Sequence, residues 1–264
     1  MLTRRTFASG ALSVVAILPA VAQASAVHWP KGARAAVSLT YDDGLNSQLD
    51  TVVPALQDAG FKGTFFLTLD NMRSKAADWQ AAHRLGHEMG NHSVTHPCAL
   101  RHCTRATFDQ KEIAPMEAFL DETFGPDRFH SFAYPCGFVG LGEGVLSRRI
   151  ARYHATLKGR VAAARTVSGL ANDPAKALAD PLMLNAFEPT YDVDDPRQAF
   201  RYVRQAMARG GWAILVFHEV LERRLGEGDT SRATHAAVLQ WLAAQPVWCA
   251  PLGEVFRYCA AGAG

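Results

Sequence analysis

Short apolar runs alternate along the chain with longer stretches in which apolar residues return every three or four positions. Ala35–Thr40 predicts a first strand. Leu49, Val52, Val53 and Leu56 follow at helical spacing, and Gly60 stands where that helix should stop. Thr64–Thr68, rich in Phe, predicts a second strand, Ala76–Leu85 a helix closed by Gly86, and Glu88–Asn91 a short third strand. Thr104–Phe124 reads as mostly helical, with Pro115 expected to kink or split it. Ser131–Tyr134 predicts a strand ended by Pro135. Between about residues 140 and 195 the pattern weakens, and Thr156 and Leu184–Phe187 are the strand candidates. Pro196–Ala208 carries Phe200, Val203 and Met207 on one helical face, with Gly210-Gly211 as its stop. Trp212–Phe217 is a continuous apolar strand, Arg232–Ala244 a helix, Val247–Ala250 a last strand and Leu252–Cys259 a last helix.

Strand–helix alternation over this length predicts an α/β fold with a mostly parallel sheet. A closed barrel and an open doubly wound sheet fit the pattern equally. No G-x-G-x-x-G or P-loop sequence follows a strand, which argues against dinucleotide and nucleoside triphosphate binding. The 264 residues suit one large domain or two small ones and suffice for a full core.

Residues 1–26 read as an export signal rather than as structure. Arg4 and Arg5 form a basic start, an apolar run spans Ala11–Val21, and Ala22-Gln23-Ala24-Ser25-Ala26 offers A-x-A cleavage sites. Thr3-Arg4-Arg5-Thr6-Phe7 is similar to a twin-arginine signal. The run is short for a bilayer span, so no stable membrane anchor is expected after cleavage, and the destination is periplasmic or secreted. The formal charge of +2 resides in Arg4 and Arg5, so removing the segment leaves a neutral chain with no electrostatic case for nucleic acid. Five cysteines cannot all pair with one another. Cys98 with Cys103, and Cys249 with Cys259, are the sequence-local candidates in an oxidising compartment, leaving Cys136 free.

Chemistry concentrates at predicted strand ends. Tyr41-Asp42-Asp43-Gly44 closes the first strand, where α/β folds place functional groups. Adjacent carboxylates repel, and a bound cation relieves that cost, one carboxylate ligating while its neighbour acts as base. Asn91-His92-Ser93-Val94-Thr95-His96-Pro97 follows the third strand. Its His-x-x-x-His spacing can bring two imidazoles to one metal, and Pro97 disfavours helix at His96, so the pair belongs on a loop. Taken alone, the first motif reads foremost as a solvated Asp-Gly turn and the second as two unrelated surface histidines. Together they make an N/O ligand set suited to zinc or a similar divalent ion, with room for water and substrate. His218 ends the apolar strand, where a structural role and a general-acid role both fit.

In these motifs the chain resembles the polysaccharide deacetylase family, the carbohydrate esterases that share the NodB homology domain. Tyr41–Gly44 is similar to the family's first motif, His92–Pro97 to its second, Phe132-Ala133-Tyr134-Pro135-Cys136-Gly137 to its third and Ile214–His218 to its last. The resemblance spans roughly residues 35–255 and implies a distorted (β/α) barrel, with residues 27–264 as a single catalytic domain. It implies a divalent metal, most often Zn2+ with Co2+ or Ni2+ as alternatives, held by Asp43, His92 and His96. It further implies Asp42 as general base, His218 as general acid, and an oxyanion or substrate region at Tyr134, Pro135, Cys136 and Val216. The substrate implied is an acetylated carbohydrate, foremost an N-acetylated amino-sugar polymer or oligomer. Polysaccharide O-acetyl esters such as acetylxylan, a small cyclic amide, and a non-catalytic carbohydrate-binding role on the same scaffold are the alternatives. Four departures stand out. Ala133 occupies the place of an Arg that pairs with the catalytic Asp, Cys136 replaces an aromatic residue, Val216 replaces a Leu of the acetyl pocket, and the fourth motif is unrecognisable, with Asp192, Asp194 and Asp195 as candidates for its role.

Overall fold

The computed structural model describes residues 27–262; the export signal expected over residues 1–26 lies outside them. Strands are β1 (Ala35–Asp43), β2 (Thr64–Leu67), β3 (Glu88–Asn91), β4 (Ser131–Ala133), β5 (Ala163–Arg165), β6 (Trp212–Phe217), β7 (Val220–Leu221), β8 (Thr230–Ser231) and β9 (Val247–Cys249). Helices are α1 (Val53–Asp58), α2 (Leu69–Met72), α3 (Ala76–Arg84), α4 (Arg105–Phe108), α5 (Ala114–Phe124), α6 (Leu146–Leu157), α7 (Pro174–Ala179), α8 (Arg197–Arg209), α9 (Arg232–Ala243) and α10 (Leu252–Ala261). None is long and apolar enough to cross a membrane among the described residues.

The main sheet is parallel throughout, in the order β5-β4-β3-β2-β1-β6, with β9 pairing the first half of β1. An irregular segment after β5 closes the sheet on itself. Leu184 bridges Arg165 of β5, and Phe187 bridges Leu215 of β6, both in parallel register. The expected Leu184–Phe187 strand is therefore the seam of a distorted barrel, and of the two architectures that fit the sequence the closed one is present.

Side-chain alternation sorts the strands into two faces. Ala36, Phe66, Ala133, Ala163, Ile214 and Val216 pack inside the barrel. Val37, Leu39, Tyr41, Phe65, Leu67, Leu215 and Phe217 face outward against the helices, and Phe132, Tyr134 and Ala164 pack under α6. The barrel interior is thus a filled core. Polar interior positions are satisfied: Trp212 Nε1 donates to Ser38 Oγ at 3.0 Å, Ser38 Oγ to the Ala250 carbonyl at 3.0 Å, and Thr40 Oγ1 to the Leu215 carbonyl at 2.9 Å.

Most predicted elements are present within a residue or two. The helix predicted over 104–124 is continuous but distorted rather than split: α4 passes at Phe108 into a π-helical turn over Asp109–Ile113, and α5 follows with Pro115 in its first turn. Thr156 corrects the expectation of a strand, since it lies in α6 with its hydroxyl donating to the Arg152 carbonyl at 3.0 Å. The short strand β5, Ala-Ala-Arg, carries no strand propensity and went unread; it exists because β4 and the seam pair with it. The cysteine pairing is also corrected. Cys98 bonds Cys136 across 38 residues, while Cys103, Cys249 and Cys259 are free. Local spacing favoured Cys103, but the barrel brings the loops after β3 and β4 side by side, with Cα atoms of Cys98 and Cys136 5.6 Å apart.

Candidate metal and proton-transfer site

Parallel strands all end at one mouth of the barrel, and the predicted residues meet there. Asp42 is the last inward position of β1 and is buried; Asp43 leaves the strand with φ 78° and is partly exposed. His92 follows β3, and His96 sits four residues on. Donor atoms of Asp43, His92 and His96 lie within 4.8 Å of one another. Asp43 Oδ1 stands 3.5 Å from His92 Nε2 and 3.6 Å from His96 Nε2.

The loop carrying the histidines is held from below. Asn91 Oδ1 accepts from the Ser93 N–H at 2.7 Å, and Ser93 Oγ accepts from the His96 N–H at 3.0 Å. Glu112, on the turn before α5, accepts from the N–H groups of Val94 and Thr95 at 3.1 and 2.9 Å and from the Thr95 hydroxyl at 2.8 Å. Four of the five non-glycine residues with left-handed backbone among the described residues cluster here: Asp43, Ser93, His96 and Cys136. Such conformations cost free energy and persist where surrounding bonds enforce them. Glu112→Ala removes three of those bonds without touching a ligand. We expect it to lower zinc affinity about 10–100-fold, as loss of outer-shell support does elsewhere; titration calorimetry on the metal-free protein checks this, and unchanged affinity would refute the clamp.

These residues fit a divalent ion. His92 Nδ1 donates to the Ala133 carbonyl at 2.8 Å, which fixes the tautomer and leaves Nε2 as the acceptor. That Nε2 is buried and has no hydrogen-bond partner. Burial lowers the His92 pKa, against the pull of Asp42 and Asp43, so the imidazole is held neutral as a ligand must be. Two imidazoles and one carboxylate leave coordination positions for water and substrate.

Asp42 finds the cation that the sequence left unassigned. Arg165, at the end of β5 and fully buried, donates from its guanidinium to Asp42 Oδ1. The same guanidinium lies 4.7 Å from the centre of the Phe66 ring and donates to the Thr166 carbonyl. Burial alone would raise the Asp42 pKa, but Arg165, His92 and His218 outweigh it and hold the carboxyl below its ordinary value. Ala133 offers Asp42 no cation, and Arg165 reaches it from the neighbouring strand. The one hint in the sequence was indirect: a buried Asp42 without a cation would be costly.

His218 is paired by Glu188, which directly follows the seam. Its Nδ1 lies 2.9 Å from Glu188 Oε1, an ion-pair contact. Burial disfavours the charged imidazole, but the Glu188 bond and the charges of Asp42, Glu188 and Asp43 prevail and push its pKa up to about 9. Gln48 ties the two halves together, its amide nitrogen donating to the carbonyls of Asp42 and His218. The Asp candidates lie elsewhere: Asp194 accepts from the Ser231 N–H at 3.1 Å, and Asp195 pairs with Arg197 at 2.9 Å. Glu188 was readable as a carboxylate at the end of a predicted strand, the position that singled out Asp42.

A cleft of about 730 Å3 opens over these groups, lined by Asp42, His92, His96, Tyr134, Glu188 and His218 among others. Cys136 lines it from the turn Pro135–Gly137. Tyr134 turns its hydroxyl away to the Leu182 carbonyl at 2.9 Å, and Pro135 is buried at the start of that turn. Val216 does not reach the cleft as expected; its inward position on β6 buries it in the barrel core with Ile214.

Residues 30–145 match the family described as polysaccharide deacetylase. Over this segment the chain is similar to that family. Solved structures share its barrel. A Mycobacterium smegmatis protein assigned as a polysaccharide deacetylase aligns over 90% of this chain and 94% of its own, with TM-score 0.63 and 16% identity. A family 4 acetyl xylan esterase from Clostridium thermocellum, in complex with a cobalt ion, aligns over 84% and 90%, with TM-score 0.55 and 21% identity. A mutant of a CE4 family pseudoenzyme with restored enzymatic activity aligns over 84% and 67%, with TM-score 0.55 and 16% identity. No curated protein sequence matches the chain. The matched polysaccharide deacetylase segment contains Asp42, Asp43, His92, His96 and Cys136, whereas Arg165, Glu188 and His218 lie beyond it.

Proposed function

We propose that this chain is an exported, metal-dependent deacetylase that removes N-acetyl groups from an amino-sugar polymer or oligomer. The observation that carries the reading is the pairing of Asp42 with Arg165 and of His218 with Glu188 around one candidate metal triad. Binding a glycan needs neither proton-transfer group, whereas hydrolysis needs both.

Asp43, His92 and His96 would hold the ion, zinc first, with cobalt or nickel as alternatives. Bound there, it would supply Lewis-acid polarisation of the acyl carbonyl and acidify water. Asp42 keeps one carboxylate oxygen on Arg165 and has Oδ2, 3.6 Å from His92 Nε2, for the proton of the attacking water. The Cys136 N–H, on the turn that lines the cleft, is the donor proposed for the oxyanion. With the Glu188 carboxylate 2.9 Å from Nδ1 favouring the charged ring, His218 offers its Nε2 proton to the departing amine. An ester leaves as an alcohol and asks less of His218. The same cleft would therefore also serve an O-acetylated polysaccharide, the substrate class for which the Clostridium thermocellum relative is named.

Acetate release by the mature protein with zinc, from N-acetylated chitooligosaccharides and O-acetylated xylan in parallel, tests the reading. Release from the amide supports it, release from xylan alone moves the chain to the esterases, and glycan bound but recovered unchanged defeats hydrolysis. Residues 1–26 carry the export part of the proposal. Replacing Arg4 and Arg5 by Lys should abolish export, and normal export of that variant would sink the twin-arginine route.

The His218 charge state is separately measurable. A folded-state pKa of about 9 lies above the ordinary imidazole value of about 6.5, so the proton is present below the lower value and lost as pH rises through the higher. NMR titration of the metal-free protein should give a His218 midpoint near 9. In Glu188→Gln it should fall by at least one unit, since the strongest interaction raising it is removed. An unshifted midpoint would remove Glu188 from this role.

A further inference from the structure

The Cys98–Cys136 bridge joins the two loops that border the cleft, the one carrying His96 and the one carrying the Cys136 N–H. Both sulfurs also converge on His96. One donor atom each from His96, Cys98 and Cys136 falls within 4.8 Å of the others. The His96 ring faces two ways: its Nε2 is 3.6 Å from Asp43 Oδ1, and its Nδ1 is 3.9 Å from Cys98 Sγ. Cys98 and Cys136 are exposed, so a reductant and a metal ion can both reach them. The remaining cysteines, Cys103, Cys249 and Cys259, lie outside this cluster.

We propose that reduction of the Cys98–Cys136 bridge opens a second, soft-metal site, formed by both thiolates and His96 Nδ1, which withdraws His96 from Asp43 and His92. Two thiolates and an imidazole are a ligand set that zinc favours, with a fourth position left for water. The competition follows from imidazole chemistry. A neutral ring has one nitrogen with a free lone pair, and the other carries the proton. Coordination through Nδ1 places the proton on Nε2, and that nitrogen can no longer serve the Asp43 and His92 side. The bridge therefore keeps His96 committed to the hydrolytic site, and a dithiol reductant would release it. The competition rests on the metal reading of Asp43, His92 and His96; the thiolate site does not.

The chemistry balances with a phosphine as laboratory reductant. Phosphorus attacks one sulfur, the S–S bond breaks, and water converts the phosphonium to the phosphine oxide. Two thiols result, and phosphorus is oxidised by two electrons. Each thiol releases its proton to solvent as it binds the divalent ion.

Cobalt(II) chloride, added to one equivalent of metal-free protein, reads both sites by absorption. Oxidised protein should show only the visible bands of a nitrogen and oxygen site. Phosphine-reduced protein should gain a sulfur-to-cobalt charge-transfer band in the near ultraviolet and lose the first spectrum. Cys98→Ser and Cys136→Ser, under the same reductant, should lose the new band and keep the first spectrum, which also shows that they are folded. Reduced wild-type protein without the charge-transfer band overturns the proposal, and so does a band that survives both substitutions. Oxidised protein that takes up no cobalt instead overturns the metal reading of the first site, and with it the competition.

Discussion

Asp42→Asn should leave zinc affinity and the fold in place and lower kcat by about 10²–10⁴-fold, the range that a positioned general base contributes. Asp42 is next to a candidate ligand but is not itself in the ligand cluster, and its Oδ1 already accepts from Arg165. An Asn can keep that hydrogen bond through its carbonyl oxygen, so geometry is retained while the basic lone pair on the other side is replaced by an amide N–H. The loss should appear in kcat, with KM little changed, because the proton moves only during attack. Steady-state kinetics on whichever acetylated glycan the wild-type protein cleaves, beside zinc titration of the variant, checks both halves. A variant within a few-fold of full activity would defeat the role of Asp42.

Arg165→Met should destabilise the protein by about 3–5 kcal/mol, because it leaves Asp42 buried without its partner. The guanidinium is fully buried against the Phe66 ring, and Met can replace part of that packing but none of the charge. The sign with pH follows from the depressed Asp42 pKa. Its contribution to stability is present above the ordinary carboxylate pKa and lost as pH falls through the folded value. In Arg165→Met, burial dominates and the Asp42 pKa rises, so stability at neutral pH should drop most and activity should move to higher pH. The double variant Asp42→Asn/Arg165→Met should recover most of the lost stability, since no uncompensated charge remains. Denaturant unfolding of the metal-free single and double variants measures this. Additive losses would mean that the two side chains do not act as a pair. Arg165→Lys should rescue poorly, because an ammonium cannot lie flat on Phe66 while reaching both Asp42 and the Thr166 carbonyl.

What could be read from sequence was what is local. Apolar runs and helical spacing placed β1, β2, β3, β4, β6 and most helices. Asp42, Asp43, His92, His96 and His218 stood out because each lies at or just past such a strand, where parallel strands deliver side chains to one mouth. The middle of the chain resisted because its elements borrow their stability. Strand β5 is two alanines and an arginine, held by pairing on both sides, and the seam at Leu184–Phe187 makes only isolated bridges.

By itself the sequence determined the motif residues, their order and the parallel strand alternation, because these depend on side-chain chemistry and on periodicities of a few residues. Tertiary structure alone decided which partners complete them. Closing the barrel carried Arg165 to Asp42 across 123 positions and set Glu188 against His218. It also joined Cys98 to Cys136 rather than to its near neighbour Cys103. Charge pairing and disulfide bonding require contact within a few ångströms, and that distance is a property of the closed barrel, not of separation along the chain.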